Sequence, residues 1–210
     1  MSVETSPEGR ARLAVLVSGA GSNMAALADA IDRGQVAADI VVVASDVADA
    51  PALARAEARG FATVAVPFDR SDRTRWESEL AERVAAHDVD LIVLAGFMRI
   101  LSGAFLARWP DRVVNVHPSL LPAFRGADAV GDALAAGVRV TGVTVHLVDE
   151  LVDHGPILAQ EVVEVLPGDS RESLHARLHA VEHRLLPYVV DLLVRGRVRV
   201  AEGRAAVLDL

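Results

Sequence analysis

The chain has no cysteine among its 210 residues. Disulfides, thiolate nucleophiles and thiolate-ligated zinc are therefore excluded, and the composition fits a reducing cytosol, so a cytoplasmic protein is expected. Lysine is missing too: all 21 basic residues are arginine. That removes the lysine-dependent phosphate loop and the Schiff-base and pyridoxal enzymes that need its amine. No uninterrupted apolar run approaches the roughly 18 residues of a membrane span. The opening residues 1–10 are polar, lack an apolar signal core, and read as a flexible tail. Positive charge is scarce, with a net charge of -8 and only one short basic stretch, Arg195-Gly196-Arg197-Val198-Arg199. A broad positive face for nucleic acid is excluded by that balance.

What is present is a chain that is 52% hydrophobic, enough to bury one large core, and residues 11–210 read as a single domain. Short apolar runs at Leu13–Val17, Ile40–Ala44, Phe61–Val66, Asp90–Ala95 and Val113–Val116 alternate with helical segments at Ser22–Gly34, Pro51–Arg59 and Arg73–His87. Ser22 is the expected cap of the first helix. Continuous rather than alternating apolar strands predict an α/β fold with a mostly parallel sheet and helices on both faces. Val140–Val148 and Ile157–Val165 predict longer strands that extend the sheet in antiparallel fashion. A helix from Ser170 to about Val194 follows, and 197–210 reads as a short hairpin.

The densest chemistry lies in Asn115-Val116-His117-Pro118-Ser119-Leu120-Leu121-Pro122. Residues two apart on a strand share a face, so Asn115 and His117 project together. An uncharged donor beside a group that titrates near neutrality suits an oxyanion and a mobile proton. A buried histidine bonded to backbone, with the asparagine turning the chain, explains the same residues. Ser18-Gly19-Ala20-Gly21-Ser22-Asn23 joins a strand to a helix and offers backbone amides to an anion. Met24 stands where a dinucleotide fingerprint has its third glycine, and Asp46 sits where that fold places a ribose-binding acid, so a nicotinamide enzyme is an alternative. A tight turn without a ligand is another. Asp153, in the acidic loop 149–156, reaches His117 only if the loop folds back; Asp149 and Glu150 read as solvated. Glu182 is nominally a surface acid. His175, His179 and His183 share one helix face, yet no carboxylate or cysteine completes a familiar metal-ligand set.

Five stretches, in order, resemble the folate-dependent phosphoribosylglycinamide formyltransferase family: residues 18–23, Leu-Ala-Gly-Phe-Met-Arg-Ile-Leu at 94–101, residues 115–122, Asp153-His-Gly-Pro, and Val181-Glu182-His183. The resemblance implies a Rossmann-like formyltransferase fold and direct transfer of a formyl group from 10-formyltetrahydrofolate to the amine of a glycinamide ribonucleotide. It implies Asn115, His117 and Asp153 as the catalytic group. Gly21, Ser22 and Asn23 would hold the phosphate, and Glu182 the ribose or amine end. Arg73, Met98, Arg99, Ile100, Leu101 and Asn115 would line the folate pocket. Small molecules are then the partners, in a monomer or homodimer, and no metal is required. Phe124-Arg125-Gly126-Ala127-Asp128 and His154 depart from the family pattern and put the acceptor-side loop in question. A sugar-nucleotide formyltransferase and a formyltetrahydrofolate deformylase are the competing activities.

Overall fold

The computed structural model describes residues 10–201 and 204–207. Of the expected tail, residues 1–9 lie outside the described residues; Arg10 is placed, with Nε 2.9 Å from Asp39 Oδ1. The described elements run β1 (Ala11–Val17), α1 (Ser22–Asp32), β2 (Ala38–Ser45), α2 (Pro51–Ala58), β3 (Ala62–Ala65), α3 (Arg73–Ala85), β4 (Leu91–Leu94) and α4 (Gly103–Leu106). After them come β5 (Val113–His117), α5 (Ala129–Ala135), β6 (Val140–Leu147), β7 (Ile157–Glu164), α6 (Arg171–Val194), β8 (Val198–Ala201) and β9 (Arg204–Val207).

Seven strands form one sheet in the order β3-β2-β1-β4-β5-β6-β7. The first five are parallel, while β6 runs antiparallel to β5, and β7 to β6. The expected parallel sheet with an antiparallel extension is therefore what forms. β1 shows why its apolar run is continuous. Leu13, Val15 and Val17 pack with α1 and α6 on one face, and Ala14 and Leu16 pack with Trp76, Leu80 and Val84 of α3 on the other. Burying each such leucine or valine is worth about 1.5–3 kcal/mol. The β8–β9 pair is the hairpin expected in the tail. Among the described residues, no helix is long and apolar enough to cross a membrane.

The short helices α4 and α5 were not expected. Four and seven residues are too few for an apolar period to register; each is set instead by its cap. Ser102 accepts from the Phe105 amide, and Asp128 from the Gly131 amide. The start of α1 also differs from expectation. Its cap is Gly21, at φ 74°, with no side-chain hydrogen bond, and Ser22 is already the first helical residue. A Cβ on Gly21 would lie 2.6 Å from Ala52 Cβ, so only glycine fits this left-handed turn.

The strand order reverses beside β1, since β2 lies on one side of it and β4 on the other. Open α/β sheets bind ligands outside the carboxyl ends of the strands at such a switch point. Ser18, Gly96 and His117 all lie at those ends.

Candidate active site

β5 carries Asn115 and His117 to its carboxyl end, and both pair across to β6, where Asn115 faces His146 and His117 faces Thr144. The 149–156 loop folds back over this edge. Gly155 makes that possible, because a Cβ there would stand 2.0 Å from the Leu147 carbonyl oxygen. The fold-back brings Asp153 Oδ2 within 3.4 Å of His117 Nδ1, and Oδ1 within 3.6 Å of His146 Nε2. Asp153 itself sits at φ 48°, a left-handed conformation uncommon for a residue with a Cβ. The Gly126 amide donates to its Oδ2 at 2.8 Å.

The proton positions around the two imidazoles follow from their partners. His117 Nε2 lies 2.9 Å from the Phe124 carbonyl oxygen, which can only accept, so Nε2 carries a hydrogen. Nδ1 is left to face Asp153. The backbone-bonded buried histidine and the carboxylate-paired one are therefore the same residue. His146 is the reverse: its Nδ1 donates to the Leu147 carbonyl at 2.8 Å, and its Nε2 accepts from Asn115 Nδ2 at 3.2 Å. That bond fixes the amide with its nitrogen toward His146, and the second N–H of Asn115 remains for a ligand.

His146 did not stand out in the sequence, although a histidine inside the apolar run Val143–Leu147 is the same anomaly as Asn115 and His117. We expect His146→Leu to lower kcat about tenfold, one step of 1.36 kcal/mol, with both KM values little changed. Steady-state kinetics check this, and a raised KM with normal kcat would instead give His146 a binding role.

Burial of Asp153 opposes its ionisation. The neighbouring His146 and His117 imidazoles and the Gly126 amide outweigh that effect and hold the carboxyl below the usual carboxylate range.

A cavity of about 740 Å³ opens here, within the range of small-molecule sites. Asn115, His117, His146 and Asp153 line its floor, and Met98, Arg99, Ile100, Leu101, Leu151 and Val152 line its wall. Met98, Ile100, Leu151 and Val152 are exposed apolar side chains. Arg73 does not line the cavity but supports the wall, with Nη2 2.7 Å from the Ile100 carbonyl oxygen. Arg125 is exposed. Asp128 caps α5 and pairs with Arg171, and both residues line the cavity. Asp149 is held by His154 at 2.7 Å.

The turn 18–23 stands to one side of this cavity. Asn23 Nδ2 donates to Glu182 Oε2 at 2.8 Å, while the Asn23 amide oxygen is buried without a protein partner. Glu182 is no surface acid: it is 4% exposed. Burial, the largest influence, pushes its carboxyl up, and Asn23, His175, His183 and His117 pull the other way without cancelling it. The His175, His179 and His183 rings follow one another along α6, the first pair tilted by 49° with centroids 3.9 Å apart and the second stacked at 5.6 Å. His179 lies 3.7 Å from Glu182, and His175 lines the cavity. This column and His117 link the turn to the main site.

A raised carboxyl pKa means that the fold disfavours ionised Glu182, so stability is lost as pH rises from the unfolded value through the folded one. Glu182→Gln keeps an acceptor for Asn23 and removes that cost. The variant is expected to melt higher than wild type at pH 7 but not at pH 4. Equal melting temperatures at both pH values would show that burial of this charge costs nothing.

Asp46 corrects the dinucleotide alternative. Its side chain has no exposure and is spent on Arg99 and Ser18, so no ribose can reach it.

An amide donor, an imidazole and an ionised carboxylate at the carboxyl edge of a mostly parallel sheet define a class, α/β proteins equipped to stabilise charge at a carbonyl and move one proton. The chain belongs to the formyl transferase family, whose model matches residues 11–190. It is 46% identical to a phosphoribosylglycinamide formyltransferase of Mycobacterium tuberculosis, over 96% of this chain and 93% of that protein. A glycinamide ribonucleotide transformylase from Symbiobacterium toebii superposes with a TM-score of 0.92 at 42% identity, each chain covered in full. A trifunctional purine biosynthetic protein of Gallus gallus is 43% identical over 92% of this chain, which spans 19% of that protein's length.

Proposed function

We propose that the protein transfers the formyl group of 10-formyltetrahydrofolate to the amine of 5'-phosphoribosylglycinamide, a step of purine biosynthesis. The observation that carries this reading is the meeting of Asn115, His117 and Asp153 at the floor of the cavity, with Glu182 and the Gly21–Asn23 turn alongside.

The folate fits what is present. Met98, Ile100, Leu101, Leu151 and Val152 give a flat ring system an apolar wall, and when bound the folate supplies the formyl carbon that the amine attacks. The protein's own groups then do the rest. The free N–H of Asn115 donates to the formyl oxygen as charge develops there; one such donor is worth roughly 2.7–4 kcal/mol. Asp153, ionised, stabilises positive charge on the His117 ring and orients Nδ1. His117 handles the proton that leaves the attacking amine and is needed on the departing nitrogen. On the acceptor side, the amides of Gly21, Ser22 and Asn23 at the start of α1 offer donors to a phosphate. The buried carboxylate of Glu182 and the unpartnered Asn23 oxygen suit ribose hydroxyls or the amine. We also read residues 11–210 as one domain, with the small molecules as its partners.

Purified protein mixed with 10-formyl-5,8-dideazafolate and glycinamide ribonucleotide should release the deformylated analogue, followed by its absorbance. Release that needs the ribonucleotide is the expected result. Release without it points to a deformylase, and release only with a sugar-nucleotide amine moves the acceptor to that class.

A further inference from the structure

Asp46 directly follows β2, at the position from which a dinucleotide-binding sheet presents an acid to its ligand. Here the carboxylate turns inward and has no solvent exposure. Its Oδ2 accepts from Arg99 Nε at 2.6 Å, and its Oδ1 accepts from the Ser18 hydroxyl. Ser18 Oγ in turn accepts the Met98 amide at 2.8 Å. The Arg99 guanidinium carbon stands 4.1 Å from the centre of the Phe68 ring, and the Phe68 amide donates to the Asp46 carbonyl at 2.9 Å.

These contacts converge on one segment. Residues 95–102 have no helix or strand of their own, yet they carry Met98 and Ile100, 62% and 53% exposed, along the cavity wall. Two bare apolar side chains on an irregular loop gain by folding onto each other, and holding each residue extended costs about 1–2 kcal/mol of backbone entropy. The segment stays open because it is tied from three directions: by Ser18 after β1, by Asp46 after β2 and by Arg73 of α3. Asp46 is the hub, since it engages Ser18 and Arg99 together and so fixes both the Met98 backbone and the Arg99 side chain. Its charge is matched by Arg99, whose guanidinium also lies over the Phe68 ring.

We propose that Asp46 is a positioning residue for the formyl-donor pocket: through Ser18 and Arg99 it holds the 96–101 segment open so that Met98 and Ile100 can flank the ring system of the folate. This rests on reading the cavity as the folate site. Asp46 touches neither substrate, and the acceptor side, held by Gly21–Asn23 and Glu182, is not tied to its carboxylate beyond Ser18.

Calorimetric titration of 10-formyl-5,8-dideazafolate into the full chain tests it directly. Asp46→Ala should weaken binding about tenfold, the equivalent of 1.4 kcal/mol, and raise the KM for the analogue alike. The kcat and the KM for the ribonucleotide should stay within about twofold, the pattern of lost donor binding rather than lost transition-state stabilisation. Asp46→Asn keeps an oxygen acceptor and should recover most of the affinity, leaving a loss of about threefold. It also carries the test should the alanine variant not fold. Unchanged affinity in either folded variant overturns the proposal, as does a fall in kcat with affinity intact, which would assign Asp46 to general scaffolding. A wild-type protein that does not bind the analogue would instead remove the reading of the cavity.

Discussion

Asp153→Asn is expected to lower kcat by about 10²–10⁴-fold, the range for a lost proton-transfer system, while circular dichroism and both KM values stay near wild type. The substitution is nearly isosteric, and its remaining oxygen can still accept the Gly126 amide. That oxygen is also the atom 3.4 Å from His117 Nδ1, so the amide nitrogen takes the other position, facing His146 Nε2. His117 then faces a neutral acceptor in place of a carboxylate, so positive charge on its ring is no longer matched when it takes up the proton. His117→Ala should fall as far, and the double variant hardly further, because residues acting as one unit are not additive. Turnover of Asp153→Asn within tenfold of wild type would remove Asp153 from the mechanism.

The same carboxylate gives a pH signature. Its folded pKa lies below its ordinary value, so its contribution to stability is complete above the unfolded pKa of about 3.9 and is lost as pH falls through the lower folded value. Melting temperatures of wild type and Asp153→Asn should therefore differ most above about pH 4 and converge below it. Any acid limb of the rate profile near neutrality belongs to a group other than Asp153.

Asn115→Ala is expected to reduce kcat by about 10²–10³-fold, the loss of one oriented donor at a developing oxyanion. Asn115 gives one N–H to His146 at 3.2 Å and keeps the other for the substrate. Truncation removes both, so the effect should exceed that of His146→Leu, which only frees the amide to rotate. The pair should be less than additive, since His146 acts through Asn115. Single-turnover kinetics with both substrates saturating isolates the chemical step. A normal single-turnover rate with raised KM would make Asn115 a binding residue only.

Much of this was legible in the residues. The five parallel strands were readable because both faces of such a sheet are covered and the apolar runs are unbroken. The antiparallel extension was readable from the longer strands on either side of an acidic loop. Asn115 and His117 announced themselves because polar groups do not belong in an apolar run without a reason. His146 is the same kind of exception, set in the valine-rich run 143–147 that otherwise reads only as a strand. Serine is the commoner cap, so the residues alone point to Ser22, and only the approach of Ala52 to Gly21 shows why glycine takes the position. Glu182 reads as a surface acid because nothing in its own helix marks it as buried. It is the packing of α1 against α6 that puts Asn23 over it.

The sequence by itself determined the class of fold, the absence of thiol and lysine chemistry, and which side chains carry reactive groups, because composition and period act locally along the chain. Only the tertiary structure decided which of those groups meet. Asp153 lies 36 positions after His117 in the sequence and reaches it because Gly155 lets the loop close over the end of β6. Asp46 could have faced a ribose; the Arg99 guanidinium, arriving from β4 on the far side of β1, turned it inward. Proximity between distant residues is set by how strands are ordered and loops are packed, and no local pattern encodes that order.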